Sequence, residues 1–176
     1  MPGIDKSLEF HPLRIAVLTV SDTRAVEDDT SGDILAARIE GAGHKLAARE
    51  IARDDVDKIA AIVSAWIDDP GIDVAITTGG TGLTGRDVTP EAIKPLFDKE
   101  IDGFSVIFHK VSFESVGLST LASRAVAGLA RGTLVFALPG SNGAVKDGWD
   151  KVISGQLDSR HRPCNLVDLM PRFMER

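Results

Sequence analysis

Three uninterrupted apolar runs punctuate the chain: "RIAVLTVS" (Arg14 to Ser21), "DVAITT" (Asp73 to Thr78) and "TLVFAL" (Thr133 to Leu138). Rich in branched side chains and lacking a polar face, they predict strands buried on both sides, as in a parallel sheet. "KLAAREIA" (Lys45 to Ala52) reads as a further strand, weakened by its alanines. Helical spacing fills the gaps. From about Thr30, Ile34, Leu35 and Ile39 form one stripe that ends near Gly41 and Gly43. Asp54 and Asp55 open a second helix whose Val56, Ile59, Ala60, Val63, Trp66 and Ile67 share a face, and Asp69-Pro70-Gly71 closes it. A third helix is expected near Thr89, with Thr89 as cap, Pro90 as first helical residue and Glu91 complementing the dipole. Residues 103–130, apolar and rich in small side chains, predict two helices broken around Gly117. A last helix turns Ala144, Val145, Trp149, Val152 and Ile153 inward. Residues 1–12 read as a loose arm, and the chain from Gln156, with Pro163 and Pro171, as irregular.

Strands alternating with helices predict an α/β fold with a mainly parallel sheet and helices on both faces. A length of 176 residues, 43% of them hydrophobic, suits one globular domain, taken as 13–165 between the arm and a tail over 166–176. The net charge of -6 argues against a protein that coats nucleic acid or an anionic membrane. No secretory h-region and no apolar run of about 20 residues are present, so a soluble, cytoplasmic protein without a membrane partner is expected. Cys164 stands alone, which rules out an internal disulfide and reads as a small packed residue. His11, His44 and His109 lack metal-ligand spacing and read as surface or core residues.

In open α/β sheets, ligands bind beyond the carboxyl ends of the strands. Three strands run into polar or glycine-rich loops there: Ser21-Asp22-Thr23, Thr78-Gly79-Gly80-Thr81-Gly82, and Pro139-Gly140-Ser141-Asn142-Gly143. Successive amides in a glycine turn form an anion-binding nest, although a ligand-free strand-to-helix turn has the same composition. Asp87 follows closely. A carboxylate beside an anion seat is unfavourable unless it holds a metal or a proton, and Mg²⁺ favours one or two carboxylates together with substrate phosphates. The alternative for Asp87 is a hydrogen bond to a turn amide. Asp54 and Asp55 follow a strand and reach the same edge, but aspartates at helix starts also serve as caps. "LPGSNGA" is a second anion seat or an ordinary turn with a serine cap.

"TTGGTGLTGRDVTPEAI" and "LPGSNGAVKDGWD" resemble the signature turns of the molybdopterin-binding domain in the MoaB/MogA family of molybdenum-cofactor biosynthesis proteins. "SFESVGLSTLASRAVAG" and "QLDSRHRPCN" look more like the MoaB branch, and the likeness runs from about Leu13 to Asn165. The resemblance implies a three-layer α/β/α sandwich assembled as a homotrimer or homohexamer. It implies transfer of AMP from ATP to the terminal phosphate of molybdopterin, with Mg²⁺ and two aspartates. One matches Asp87 and the other Asp54, with Asp55 next to it. On this reading Ser21, Asp22, Thr78, Gly79, Gly80, Thr81, Gly82, Pro139, Gly140 and Ser141 bound the substrate pocket. The rival reading is a molybdopterin-binding assembly protein without turnover.

Overall fold

The computed structural model describes residues 2–175. The buried apolar runs become β2 (Arg14–Val20), β4 (Val74–Thr78) and β7 (Thr133–Leu138), joined by β3 (Lys45–Ala52), all parallel to one another. Two antiparallel strands, β6 (Val126–Ala130) and the two-residue β5 (Lys99–Glu100), complete a sheet of order β3-β2-β4-β7-β6-β5.

Alternation along each central strand sends side chains to two separate cores. Ile15 and Val17 of β2 and Leu134, Phe136 and Leu138 of β7 pack against α1 (Thr30–Gly41), α4 (Asp102–Val116) and α5 (Asn142–Gly148), through Leu35, Ile39, Phe104, Phe108 and Val145. α5 runs on through a π-helical turn at Trp149–Ile153 into α6 (Ser154–Gln156). On the other face, Ala16, Leu18, Val135 and Ala137 meet Ile59, Val63, Trp66 and Ile67 of α2 (Val56–Asp68) and Ala92 and Ile93 of α3 (Thr89–Ile93). The result is the three-layer sandwich, and the absence of a polar face on the strands is its direct cause.

Four expectations change. The second helix expected within 103–130 is instead a 3-10 segment over Gly117–Ala122 followed by β6. β6 and β7 form a hairpin through Arg131 (φ 47°) and Gly132 (φ 89°), two positive values that match the twist of flanking strands. Thr89 is not a cap but the first residue of α3; Val88 precedes it with no side-chain cap bond. The arm is tied down: β1 (Gly3–Ile4) pairs antiparallel with β8 (His161–Arg162), and Phe10 lies against His44 and beneath the Arg160 guanidinium. Cys164 is exposed rather than packed. Among the described residues no helix is long and apolar enough to cross a membrane.

Candidate functional site

The carboxyl ends of β2, β3, β4 and β7 lie along one rim of the sheet because these strands are parallel. The loops that leave them enclose a cleft of about 540 Å³. Ser21 and Asp22, Asp54, Gly79, Gly80, Thr81, Gly82, Asp87, Pro139, Gly140 and Ser141 all line it. Thr78 is the exception. It is buried beneath the floor, and its hydroxyl donates to the Pro139 carbonyl at 3.1 Å, holding two loops together instead of facing the cleft. Asp54 and Asp55 part company: Asp55 caps α2 by accepting from the Lys58 amide at 3.0 Å, whereas Asp54 faces the cleft.

The glycine turn is shaped by close approach. A Cβ at Gly79, where φ is +102°, would stand 2.1 Å from the Val20 carbonyl oxygen, so no larger residue fits between β2 and the turn. All four carbonyls of the turn are held by neighbours. Gly79 O accepts from the Thr89 hydroxyl at 2.8 Å and Gly80 O from the Thr89 amide at 2.9 Å. Thr81 O accepts from the Arg124 amide and Gly82 O from Arg124 Nε, each at 2.9 Å. A trans peptide unit points its carbonyl and the next amide in opposite directions. Tethering the carbonyls on one side therefore turns the following amides to the other. The Gly80 and Thr81 amides make no hydrogen bond among the described residues, which leaves them available to an anion.

Two carboxylates sit close over this turn. A Cβ at Gly80 would lie 2.9 Å from Asp54 Oδ1, and one at Gly82 would lie 2.6 Å from Asp87 Oδ2. Asp87 Oδ2 accepts from the Thr84 hydroxyl at 2.6 Å and the Thr84 amide at 2.9 Å. Hydrogen bonding from Thr84 is the main reason that Asp87 lies below the ordinary carboxylate range, with smaller help from the Gly82 amide and the Arg124 charge. Asp54 is shifted the other way. Burial raises it first, then the charges of Asp22 and Asp87, with Arg86 opposing. The Asp54 amide donates to Asp22 Oδ1 at 3.1 Å, which brings the third carboxylate close. Asp54 thus meets an excess of negative charge that a bound cation would neutralise. Among the described residues no group of three or more His, Cys, Asp or Glu side chains is placed to hold a metal by protein ligands alone.

The cleft also holds residues that the sequence did not mark as ligand contacts. Arg24 donates to the Ser31 hydroxyl at 2.6 Å and to Gly140 O at 3.4 Å, and Arg86 faces Asp22 loosely at 3.7 Å. With these two guanidinium groups and the free amides, the walls can receive anions despite the chain's negative net charge. Val20, Thr23, Thr84 and Ser123 complete the lining. Ser123 and Arg124 had no local signal, because they reach the site only through the strand β6 that follows them. Ser141 caps α5, accepting from the Ala144 amide at 3.2 Å, and Gly140 touches the glycine turn, where its Cβ would lie 3.2 Å from Gly79 Cα.

Comparison with known proteins gives a consistent picture. A family model described as "Probable molybdopterin binding domain" matches residues 16–159. The chain is 52% identical over 160 residues to Molybdenum cofactor biosynthesis protein B of Escherichia coli (strain K12), covering 91% of this chain and 94% of that protein. It is 46% identical over 146 residues to the protein of the same name from Bacillus subtilis (strain 168), covering 82% and 86%. A crystal structure of a Molybdenum cofactor biosynthesis protein B superposes with a TM-score of 0.81 at 42% identity, covering 84% of this chain and 92% of that one. The tungsten cofactor synthesizing protein MoaB from Pyrococcus furiosus superposes with a TM-score of 0.73 at 40% identity, covering 80% and 90%.

Proposed function

The chain belongs to the MoaB/MogA family of molybdenum-cofactor biosynthesis proteins, and from that premise we propose that it adenylylates molybdopterin with Mg-ATP. The observation that carries the reading is the pairing of Asp54 and Asp87 over a turn whose Gly80 and Thr81 amides are free. In the reaction, an oxygen of the pterin's terminal phosphate attacks the α-phosphorus of ATP. A new P–O bond forms as the bond to the β-phosphate oxygen breaks, giving adenylyl-molybdopterin and pyrophosphate.

Both reactants are anionic, so positioning and charge neutralisation supply most of the catalysis. The amides of the glycine turn, helped by Thr81, seat one phosphate group. Arg24 and Arg86, which both line the cleft, neutralise others. Asp87 and Asp54 would hold Mg²⁺, which supplies charge to the phosphates; their crowded negative charge fits that ion, which needs only one or two carboxylates when phosphates complete its shell. Thr84 fixes the Asp87 carboxylate in its ionised form, ready for that task. We further infer a homotrimer or homohexamer, a reading supported by Phe113, Val116, Leu118 and Leu121, large apolar side chains more than half exposed around the end of α4.

The test is incubation with molybdopterin and Mg-ATP, with mass detection of the AMP-linked pterin and of pyrophosphate. Asp87→Asn should retain the fold and lower turnover by roughly a hundredfold or more, the scale of losing one strong electrostatic contact. Pterin binding without any adenylylated product would instead establish an assembly protein.

A further inference from the structure

Arg124 makes three hydrogen bonds to residues of the cleft, to Thr81, Gly82 and Asp87, yet it does not line the cleft itself. Its Nε donates to Gly82 O and its Nη2 to Asp87 O, each at 2.9 Å. Nη1 pairs with the Glu91 carboxylate on α3, and the backbone amide donates to Thr81 O at 2.9 Å. The side chain lines a separate hollow beside α3 together with Glu91, so it works from behind the turn.

These contacts divide into two kinds. The bond to Thr81 O uses a main-chain amide that any residue except proline would provide. The bonds to Gly82 O and Asp87 O use the guanidinium fork, whose planar geometry spans two carbonyls at once. Between those carbonyls lies the loop that carries Thr84, Arg86 and the Asp87 side chain. Holding both ends from behind fixes the peptide planes on which the amide face and the Asp87 carboxylate depend. Glu91 in turn anchors the guanidinium against α3, and Thr89 of the same helix fixes the other half of the turn.

We propose that Arg124 is a positioning residue of this site: its fork locks the Gly82 and Asp87 peptide units so that free amides and a fixed carboxylate meet the anionic ligand together. The identity of the reactants rests on the adenylylation reading above; the clamp on the anion seat does not. A lysine carries the same charge but presents a point donor in place of the fork, so Arg124→Lys separates geometry from charge.

The experiment compares wild type, Arg124→Lys and Arg124→Ala by calorimetric binding of pyrophosphate with Mg²⁺, amide hydrogen exchange, thermal melting and turnover with molybdopterin and Mg-ATP. Both variants should weaken pyrophosphate binding by roughly tenfold to a hundredfold, the scale of one to two charge-assisted hydrogen bonds. Exchange should quicken across residues 80–88 but not in the central strands, and turnover should fall mainly in kcat. Arg124→Lys with wild-type affinity and exchange would overturn the clamp, as would losses that merely track the melting temperature. A wild type that fails to bind pyrophosphate would overturn it as well. A wild type that binds pyrophosphate but forms no adenylylated pterin would defeat the adenylylation reading alone, and the binding and exchange data would still decide on Arg124. Should Arg124→Ala fail to fold, Arg124→Lys decides.

Discussion

Replacing Gly82 by alanine offers a sharp probe of the site, because it adds one methyl group beside one carboxylate. Gly82 is not among the glycines with positive φ, so alanine meets no backbone strain there. The added Cβ would stand 2.6 Å from Asp87 Oδ2 and 3.0 Å from its Cγ. Ordinary contact begins near 3.4 Å, so one partner has to retreat by roughly 0.8 Å, on the scale of the 1 Å misplacement that can cost a hundredfold in rate. The carboxylate cannot swing away freely, since Thr84 holds the same oxygen through its amide and its hydroxyl. A retreat that loses one of those two bonds costs about 1.5–3 kcal/mol, the value of a hydrogen bond to a charged group, and alanine's stiffer unfolded chain returns about 0.4–1 kcal/mol. Gly82→Ala is therefore expected to melt within a few degrees of wild type while losing roughly tenfold to a hundredfold in kcat. The assay is single-turnover formation of AMP-linked pterin, alongside calorimetric melting. A folded Gly82→Ala protein with wild-type kcat would refute the idea that the position of the Asp87 carboxylate governs the chemistry.

Asp54→Asn should lose turnover by roughly a hundredfold yet melt no lower than wild type. A carboxylate raised in the folded state binds its proton more tightly there, so its ionisation costs stability as pH rises above the ordinary carboxylate range, and the amide removes that cost at neutral pH; melting curves at pH 4 and pH 7 check the sign. Asp29 behaves in the opposite sense. Its side chain is fully buried, which disfavours the charge, but Arg49 at 2.9 Å, the Gly32 amide and the Thr19 hydroxyl overcome burial and hold it below the ordinary range. Its contribution should be complete above about pH 4 and fade as pH falls below that value. Asp29→Ala, which leaves Arg49 paired with Asp33 alone, strands the buried Thr19 hydroxyl and uncaps α1, should cost about 3 kcal/mol in urea unfolding at pH 7 and flatten the acid limb of the stability profile.

The strands β2, β4 and β7 were legible because a two-sided burial leaves no polar face, and α2 because its apolar spacing is strictly helical. The segment "VAGLA" was not. Five small and apolar residues fit a helix or a strand equally well, and only pairing with β7 decides between them. The one local clue was Arg131-Gly132, a two-residue hairpin turn, and a single glycine there is a weak signal. Thr89 shows the same limit. A threonine before Pro-Glu has the composition of a cap, but its hydroxyl is drawn to the Gly79 carbonyl across the turn. That partner cannot be read from spacing.

The order of residues alone specifies the layered α/β architecture, the rim on which the loops gather, and the glycine, hydroxyl and carboxylate residues found there. Those properties follow from local patterning, which depends on neighbours a few positions apart. It takes the folded molecule to show that Asp54 and not Asp55 faces the cleft, that Thr78 supports it from below, and that Arg124 grips the turn from behind. Each of those outcomes depends on where a donor or carboxylate comes to rest against a distant carbonyl, amide or charge. Such distances exist only once the sheet has brought its loops together.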